Sequence, residues 1–298
     1  MPRVSVIIPA FNAEGFLARA LRSVEAQTFG DYEVVLIDDG STDGTAEIAR
    51  SFECVRYFHQ SNQHQAVARN RGLKEAEGEL VAFLDADDEW LPEKLERQLA
   101  FMDENKSRIS YTDTYYSKND KRVRYSKMAP PYAGQILNPL VEEWLEFCFI
   151  TMNTVVAEKR LLEEVGGFDE AAPFLSFEDY GLWLQVALSE ARFDYLDEPL
   201  AVYYRGHESD SSDSIVMLER YVQALTYYSL HYTFPPEARD RLERTLDRAN
   251  VALGAKLLKH GRLREATPYL RHGHPRDLVQ KFCLFFTRRL SYVFRRAE

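Results

Sequence analysis

The stretch FLDADD, residues 83–88, places Asp85, Asp87 and Asp88 together at the end of an apolar run. Like charges this close destabilise one another unless a cation or a ligand offsets them. A second acidic pair, Asp38–Asp39, ends the apolar run YEVVLID and precedes Gly40. A third, Glu178–Asp179, lies in SFEDYGLWLQ. Sites rich in carboxylate oxygen suit hard divalent cations such as Mg²⁺ or Mn²⁺, which complete their shells with substrate phosphates and water. A nucleoside diphosphate is the chemical complement of such a site. Taken singly, each cluster also fits a plainer reading. The first is a solvated turn, the second a capped turn, and the third a pair of first-turn acids after Ser176, favoured by a helix dipole.

The elements that must carry these acids alternate along the first hundred residues. VSVIIPAF (4–11), YEVVLID (32–38), CVRYFHQ (54–60) and ELVAFLDADD (79–88) read as strands. EGFLARALRSVEAQ (14–27) spaces Phe16, Leu17, Ala20, Leu21 and Val24 as one helical face. A helix capped from within Thr42–Thr45 and running through about Arg50, HQAVARNRGLKEAEG (64–78) and LPEKLERQLAFMDEN (91–105) read as further helices, the last with Pro92 in its first turn. Apolar strands joined by helices predict a parallel α/β sheet, and ligands of such sheets bind beyond the carboxyl ends of the strands. Asn12, Asp38–Asp39 and Asp85–Asp88 all fall at such ends and are expected to converge on one edge. Beyond residue 109 the pattern loosens. ISYTDTYYS, FITMNTVVA and FDYLDEPLAVYYR suggest strands, SFEDYGLWLQVAL (176–188) a helix with Ser176 as N-cap, and GHESDSSDS a mobile loop. Helices are expected over roughly 215–232, 236–260 and 262–272.

Composition narrows the function classes. With 45% apolar residues the chain can bury a substantial core, and with a net charge of −10 non-specific nucleic-acid binding is not the default reading, so no nucleic-acid partner is expected. Cys54, Cys148 and Cys283 form no metal-ligand spacing and read as packing residues of a reducing, cytoplasmic compartment. No signal peptide and no uninterrupted transmembrane stretch is expected. Neither GxxxxGK[ST] nor GxGxxG occurs, which argues against P-loop and dinucleotide-dependent enzymes.

VSVIIPAFN, VVLIDDGSTDGT, AVARNRGL, FLDADD, VGGFDE and FEDYGLWLQ, in this order, resemble the family 2 glycosyltransferases over about residues 3–208. The resemblance implies an A-type, Rossmann-like α/β fold: a mixed, mainly parallel sheet flanked by helices, with a C-terminal helical extension. It assigns a nucleotide-sugar-binding half to 1–105, an acceptor and catalytic-base half to 106–214, and a helical region to 215–298. It implies inverting transfer of a sugar from a nucleoside-diphosphate sugar, with UDP favoured, to a saccharide or lipid-linked acceptor, assisted by Mn²⁺ or Mg²⁺. Carried across by position, Pro9 and Asn12 lie near the nucleobase, and Asp39 contacts uracil or ribose with Asp38 beside it. Arg69 belongs to the nucleotide pocket. Asp85 and Asp87 form the DxD pair that holds ribose and the metal on the diphosphate, and Asp179 is the general base. Glu178 and Trp183 are weaker candidates for donor or acceptor contact, Trp183 as a sugar platform or simply as core. In YYRGHESDSS, His207 is a candidate for metal or diphosphate contact and Arg205 for phosphate charge. One departure is visible: His64 stands where the family commonly has glycine, and a side chain there would narrow the base pocket or alter the turn.

Two other functions compete with an active transferase. A non-catalytic sugar-nucleotide-binding scaffold would be favoured by loss of Asp179 or the DxD pair, and both are present. A nucleotidyltransferase would carry a glycine-rich, basic signature near its first strand, which IIPAFNAEG lacks. A processive polymerase is disfavoured by the missing QxxRW motif. The C-terminal segment 271–298 has seven basic residues against two acidic ones, interleaved with Phe282, Leu284, Phe285, Phe286, Leu290, Tyr292, Val293 and Phe294. Such a segment suits peripheral contact with an anionic inner membrane face, or packing on the domain or a second subunit.

Overall fold

A computed structural model describes residues 1–118, 121–124, 150–172, 176–189, 191–204 and 214–272. The chain divides into two compact units, Met1–His207 and Glu208–Glu298. Cys148, Cys283, Arg205, His207 and the basic aromatic C-terminal segment from residue 273 on fall outside the described residues.

The first unit is built on one nine-stranded sheet in the order β3-β2-β1-β4-β8-β6-β9-β5, with β7 added on β6. Its first half is parallel. β1 (Val4–Ala10) pairs with β2 (Tyr32–Asp38) and β4 (Leu80–Phe83), and β2 pairs with β3 (Val55–His59). Three helices return the chain between them: α1 (Leu17–Glu25), α2 (Thr45–Arg50) and α3 (His64–Glu75). β1 and β4 are apolar on both faces because helices cover both, so Val4, Val6, Ile7, Ile8, Val81 and Phe83 are all buried. On α1 the apolar stripe Leu17, Ala20, Leu21 and Val24 faces that core, as its spacing requires.

The sheet turns mixed after β4. β5 (Glu89–Trp90) pairs antiparallel with β9 (Phe193–Tyr204). β8 (Val155–Glu158) runs antiparallel between β4 and β6 (Ile109–Lys118), and β7 (Lys121–Arg124) folds back on β6. β6 and β9 are parallel, with register shifts around Asp113. α4 (Lys94–Asn105) precedes β6, α5 (Lys159–Glu164) follows β8, and α6 (Glu178–Leu188) leads into β9. The second unit contains α7 (Ser214–His231), α8 (Pro236–Lys259) and α9 (Leu263–His272). Among the described residues no helix is long and apolar enough to cross a membrane.

Several expectations are corrected. α4 begins at Lys94, two residues after Pro92, so the proline precedes the helix instead of occupying its first turn. FITMNTVVA is not one strand: Met152–Thr154 form a 3₁₀ turn before β8. α6 begins at Glu178, and Ser176 is not its N-cap. Phe177 holds the cap position without a side-chain hydrogen bond, and both Ser176 and Phe177 have positive φ, 70° and 69°. The two-residue β5 and the six-residue α5 are too short to show a periodicity in sequence.

One buried group stands out in the first unit. Lys94 is fully buried, its Nζ donates to Gln98 Oε1 at 2.7 Å, and it lies 4.4 Å from the Trp90 ring centroid. Burial pushes its ammonium down to about 7 from 10.5. The unfolded chain then holds a proton that the native state lacks between those values, so Lys94 makes stability rise with pH across that window. Lys94→Met is expected to remove this rise and to stabilise the protein most below pH 7. Thermal midpoints of both proteins from pH 6 to 10 check it.

Candidate functional site

The carboxyl ends of β1 and β2 are tied together by their own loops. The Asp39 N–H donates to the Ala10 carbonyl at 2.8 Å. Asn12, at φ 47°, accepts the Thr42 N–H on Oδ1 at 2.9 Å and donates its own N–H to Ser41 Oγ at 2.9 Å. Gly40 makes the turn between them, with φ 83°. A Cβ there would lie 2.8 Å from the Asn62 nitrogen, so no other residue fits without backbone movement. Pro9 sits in β1 opposite Ile37. Phe11, which sequence reasoning passed over, is 51% exposed at this edge. Its signal was available as an aromatic between the end of an apolar strand and Asn12.

Asp38 and Asp39 are both buried, with different duties. Burial alone would raise Asp38, but hydrogen bonds from the Tyr57 hydroxyl and from Ser41 hold its carboxyl below the ordinary value. It is a structural acceptor that closes the turn. Asp39 receives Gln60 Nε2 at 2.7 Å and the Gln63 N–H at 2.9 Å, both on Oδ1. Its Oδ2 makes no hydrogen bond among the described residues and remains available to a ligand. His64 follows directly at φ 70°, and its side chain is exposed. The chain therefore keeps a glycine-type backbone with a histidine, a strain of about 1–3 kcal/mol, and the imidazole projects into solvent.

The second cluster forms around Arg69 on α3. This arginine is 2% exposed. Its Nη2 donates to Asp85 Oδ1 at 2.7 Å and its Nη1 to Glu178 Oε1. Burial opposes the charge, but the two carboxylates outweigh it and raise the guanidinium above its ordinary value. Glu178 is thus an ion-pair partner of Arg69, and that is the contact the structure gives it. Asp179, the next residue, accepts the Tyr180 N–H at 2.7 Å. Burial pushes its carboxyl up to about 7, the Glu178 charge adds to this, and Arg69 opposes it.

Asp87 and Asp88 complete the turn after β4. Asp88 is buried, accepting Asn153 Nδ2 at 2.6 Å and the Tyr204 N–H at 3.1 Å. Burial, then the charges of Asp87 and Asp85, raise it well above the ordinary carboxylate range. Asp85 and Asp87 are only partly buried. Among the described residues no group of three His, Cys, Asp or Glu is arranged to hold a metal by itself. Two accessible carboxylates fit a hard cation of the Mg²⁺ type, which takes few protein ligands and fills its shell from phosphate and water.

The structure therefore brings Arg69, Asp85, Glu178 and Asp179 together and sets Pro9, Asn12, Asp38 and Asp39 at the carboxyl ends of β1 and β2. It does not bring Trp183 with them. Trp183 is fully buried, edge-to-face on Phe193 at 6.1 Å, because α6 lies against the sheet and turns this residue inward. It is a core residue and not a sugar platform.

The mixed sheet with helices on its faces is the A-type glycosyltransferase fold. Among solved structures, the mannosyltransferase PcManGT from Pyrobaculum calidifontis, in complex with GDP-Man and Mn²⁺, superimposes with a TM-score of 0.66 at 19% identity, covering 98% of this chain and 81% of that one. Residues 5–161 match Glycosyl transferase family 2. An uncharacterized glycosyltransferase of Rickettsia felis is 37% identical over 188 residues, covering 62% of this chain. The match spans only 30% of that relative's length. The Escherichia coli protein UDP-Glc:alpha-D-GlcNAc-diphosphoundecaprenol beta-1,3-glucosyltransferase WfaP is 32% identical over 215 residues, covering 71% of this chain and 80% of its own. The chain belongs to glycosyl transferase family 2.

Asp179 makes a stability prediction that needs no substrate. Between 3.8 and about 7 the native state keeps a proton that the unfolded chain has lost, so this group makes stability fall as pH rises through that window. Asp179→Asn is expected to lack this fall, and its thermal midpoint should gain on the wild type from pH 4 to pH 7. Calorimetric scans of both proteins across that range test it.

Proposed function

We propose that this chain is an inverting, metal-assisted glycosyltransferase of polysaccharide or cell-surface glycan synthesis. Its donor is a nucleoside-diphosphate sugar, with UDP favoured, and its acceptor is a hydroxyl of a saccharide or lipid-linked glycan. The observation that carries this reading is the pairing of Arg69 with both Asp85 and Glu178, which brings the donor-side carboxylate within electrostatic reach of Asp179, the candidate base. The printed activity of the E. coli relative, with UDP-Glc as donor and a diphosphoundecaprenol-linked acceptor, supports the choice of donor and acceptor class. An acceptor of that kind would place the reaction at the cytoplasmic face of a membrane.

The residues divide the work. Asp39 offers Oδ2 to the base or ribose, and exposed Phe11 offers an aromatic face for stacking. Asp85 turns one oxygen to Arg69 and has the other for the ribose. Asp87, with Asp85, would hold Mn²⁺ or Mg²⁺, and a divalent ion there supplies electrostatic stabilisation of the departing diphosphate. Asp179 accepts the proton of the acceptor hydroxyl as its oxygen bonds to the anomeric carbon and the bond to the diphosphate breaks on the opposite side. A carboxyl raised to about 7 is well matched to proton transfer near neutral pH.

Incubation with UDP-sugars and Mn²⁺ should release UDP, and absence of any nucleoside diphosphate across a panel of donors would favour a binding scaffold. Asp179→Asn should lower turnover by roughly 10² or more while donor affinity changes little. Near-normal turnover in that variant would assign the proton to another group. Asp87→Ala should stay folded and lose the metal-dependent part of donor binding, read by titration calorimetry with and without Mn²⁺.

A further inference from the structure

The turn that carries Asp87 is held from outside by a polar seam on α1. The seam is made of three residues spaced by four: Arg19, Ser23 and Gln27, the last just beyond the helix end. Each grips the main chain of the segment after β4, in order. Arg19 Nη2 donates to the Asp87 carbonyl. Ser23 Oγ accepts the Trp90 N–H at 3.1 Å. Gln27 Nε2 donates to the Leu91 carbonyl at 2.8 Å, and its Oε1 accepts the Leu95 N–H at 3.0 Å. Ser23 and Gln27 are buried, so these bonds are made out of water, and leaving either side unpaired would carry its full desolvation cost.

Arg19 is the end of the seam nearest the candidate site, and it is held on a second side. Its guanidinium carbon lies 3.8 Å from the centroid of the Tyr204 ring. Tyr204 is fixed at both ends: its N–H donates to Asp88 Oδ1 at 3.1 Å and its hydroxyl to Glu89 Oε2 at 2.7 Å. Asp88 is fixed in turn by Asn153 Nδ2, and the Asn153 carbonyl accepts Trp90 Nε1 at 2.8 Å. The Asp87 carbonyl is therefore held from α1 by a guanidinium that is itself backed by the Tyr204 ring at the end of β9.

We infer that Arg19 is a positioning residue of the donor site, which sets the Asp87 carboxylate by holding the Asp87 carbonyl from a guanidinium stacked on the Tyr204 ring. The inference rests on the proposed reading of Asp87 as the carboxylate of the diphosphate and metal. Lysine replaces the planar fork only in part, because a compact ammonium with rotatable donors on a flexible stem neither lies flat on the ring nor fixes the direction of the bond.

The test is calorimetric titration of UDP into the wild type, Arg19→Gln and Arg19→Lys, each with Mn²⁺ and with EDTA, alongside thermal midpoints. For the wild type, Mn²⁺ should tighten UDP binding. In Arg19→Gln the affinity in Mn²⁺ should fall by about 10–100-fold, the usual range for removing a group that orients a metal ligand, while affinity in EDTA and the thermal midpoint change little. Arg19→Lys should fall between the two. If Arg19→Gln does not fold, Arg19→Lys against the wild type decides the matter by the same two affinities. An undiminished Mn²⁺ gain in the folded variant overturns the positioning role alone, and so does a parallel loss of both affinities with a lowered midpoint. A wild type that gains nothing from Mn²⁺ overturns the reading of Asp87 itself.

Discussion

The buried guanidinium of Arg69 is the constraint around which the first unit is arranged. A cation out of water is tolerated only when paired and hydrogen-bonded, and Arg69 has a carboxylate at each terminal nitrogen. One carboxylate, Asp85, comes from the end of a central parallel strand. The other, Glu178, comes from the first turn of α6. The ion pairs are therefore a geometric statement: the end of β4 and the start of α6 must meet at α3. Removing Arg69 would leave two acids facing each other beside a third, Asp179, whose carboxyl is already raised by burial and by Glu178. The same charge that joins the two segments also moderates the basicity of the candidate base.

Strain is concentrated where these segments meet. Of the five non-glycine residues at positive φ among the described residues, Lys106 ends α4, where a left-handed residue is the ordinary way to stop a helix. The other four are Asn12, His64, Ser176 and Phe177. Asn12 follows β1, His64 follows the segment that grips Asp39, and Ser176–Phe177 deliver Glu178 and Asp179. Strained backbone persists where surrounding bonds over-determine it, and here those bonds are visible: Asn12 to Ser41 and Thr42, Asp39 to Gln63, and Glu178 to Arg69. Stability is given up at the edge of the sheet to aim side chains, while β4 behind that edge is wholly apolar and β1 nearly so.

Behind the turn of Asp85–Asp88 the protein is polar where a core is expected to be apolar. The seam of Ser23 and Gln27, the Asp88–Asn153–Trp90 chain and the Lys94–Gln98 pair are all buried. Gln98 extends this network by donating to Ser110 and to the Thr154 carbonyl. Satisfied buried networks fix one arrangement more sharply than apolar packing does. The turn with the accessible carboxylates thus rests on a satisfied buried network.

The amino-acid sequence determined the alternating strands and helices of residues 4–105 because their apolar spacing is local and continuous. It placed the candidate carboxylates at strand ends because that position follows from the same local pattern. The helical extension was also legible, within a residue or two at each end. What tertiary structure decided was contact between distant segments. Nothing in the spacing of ARNRG tells that Arg69 is buried between Asp85 and Glu178, since those partners lie 16 and 109 residues away. The apolar face of α1 could be read from its period, but its polar positions Arg19 and Ser23 look like any solvated face until the chain at 87–95 is laid against them. Trp183 kept two readings in sequence because helical spacing places it near Asp179, and only the packing of α6 turned it into the core. Local pattern fixes which residues form an element. Which buried charges face each other is fixed by the fold, because desolvation is a property of the surroundings and not of the residue.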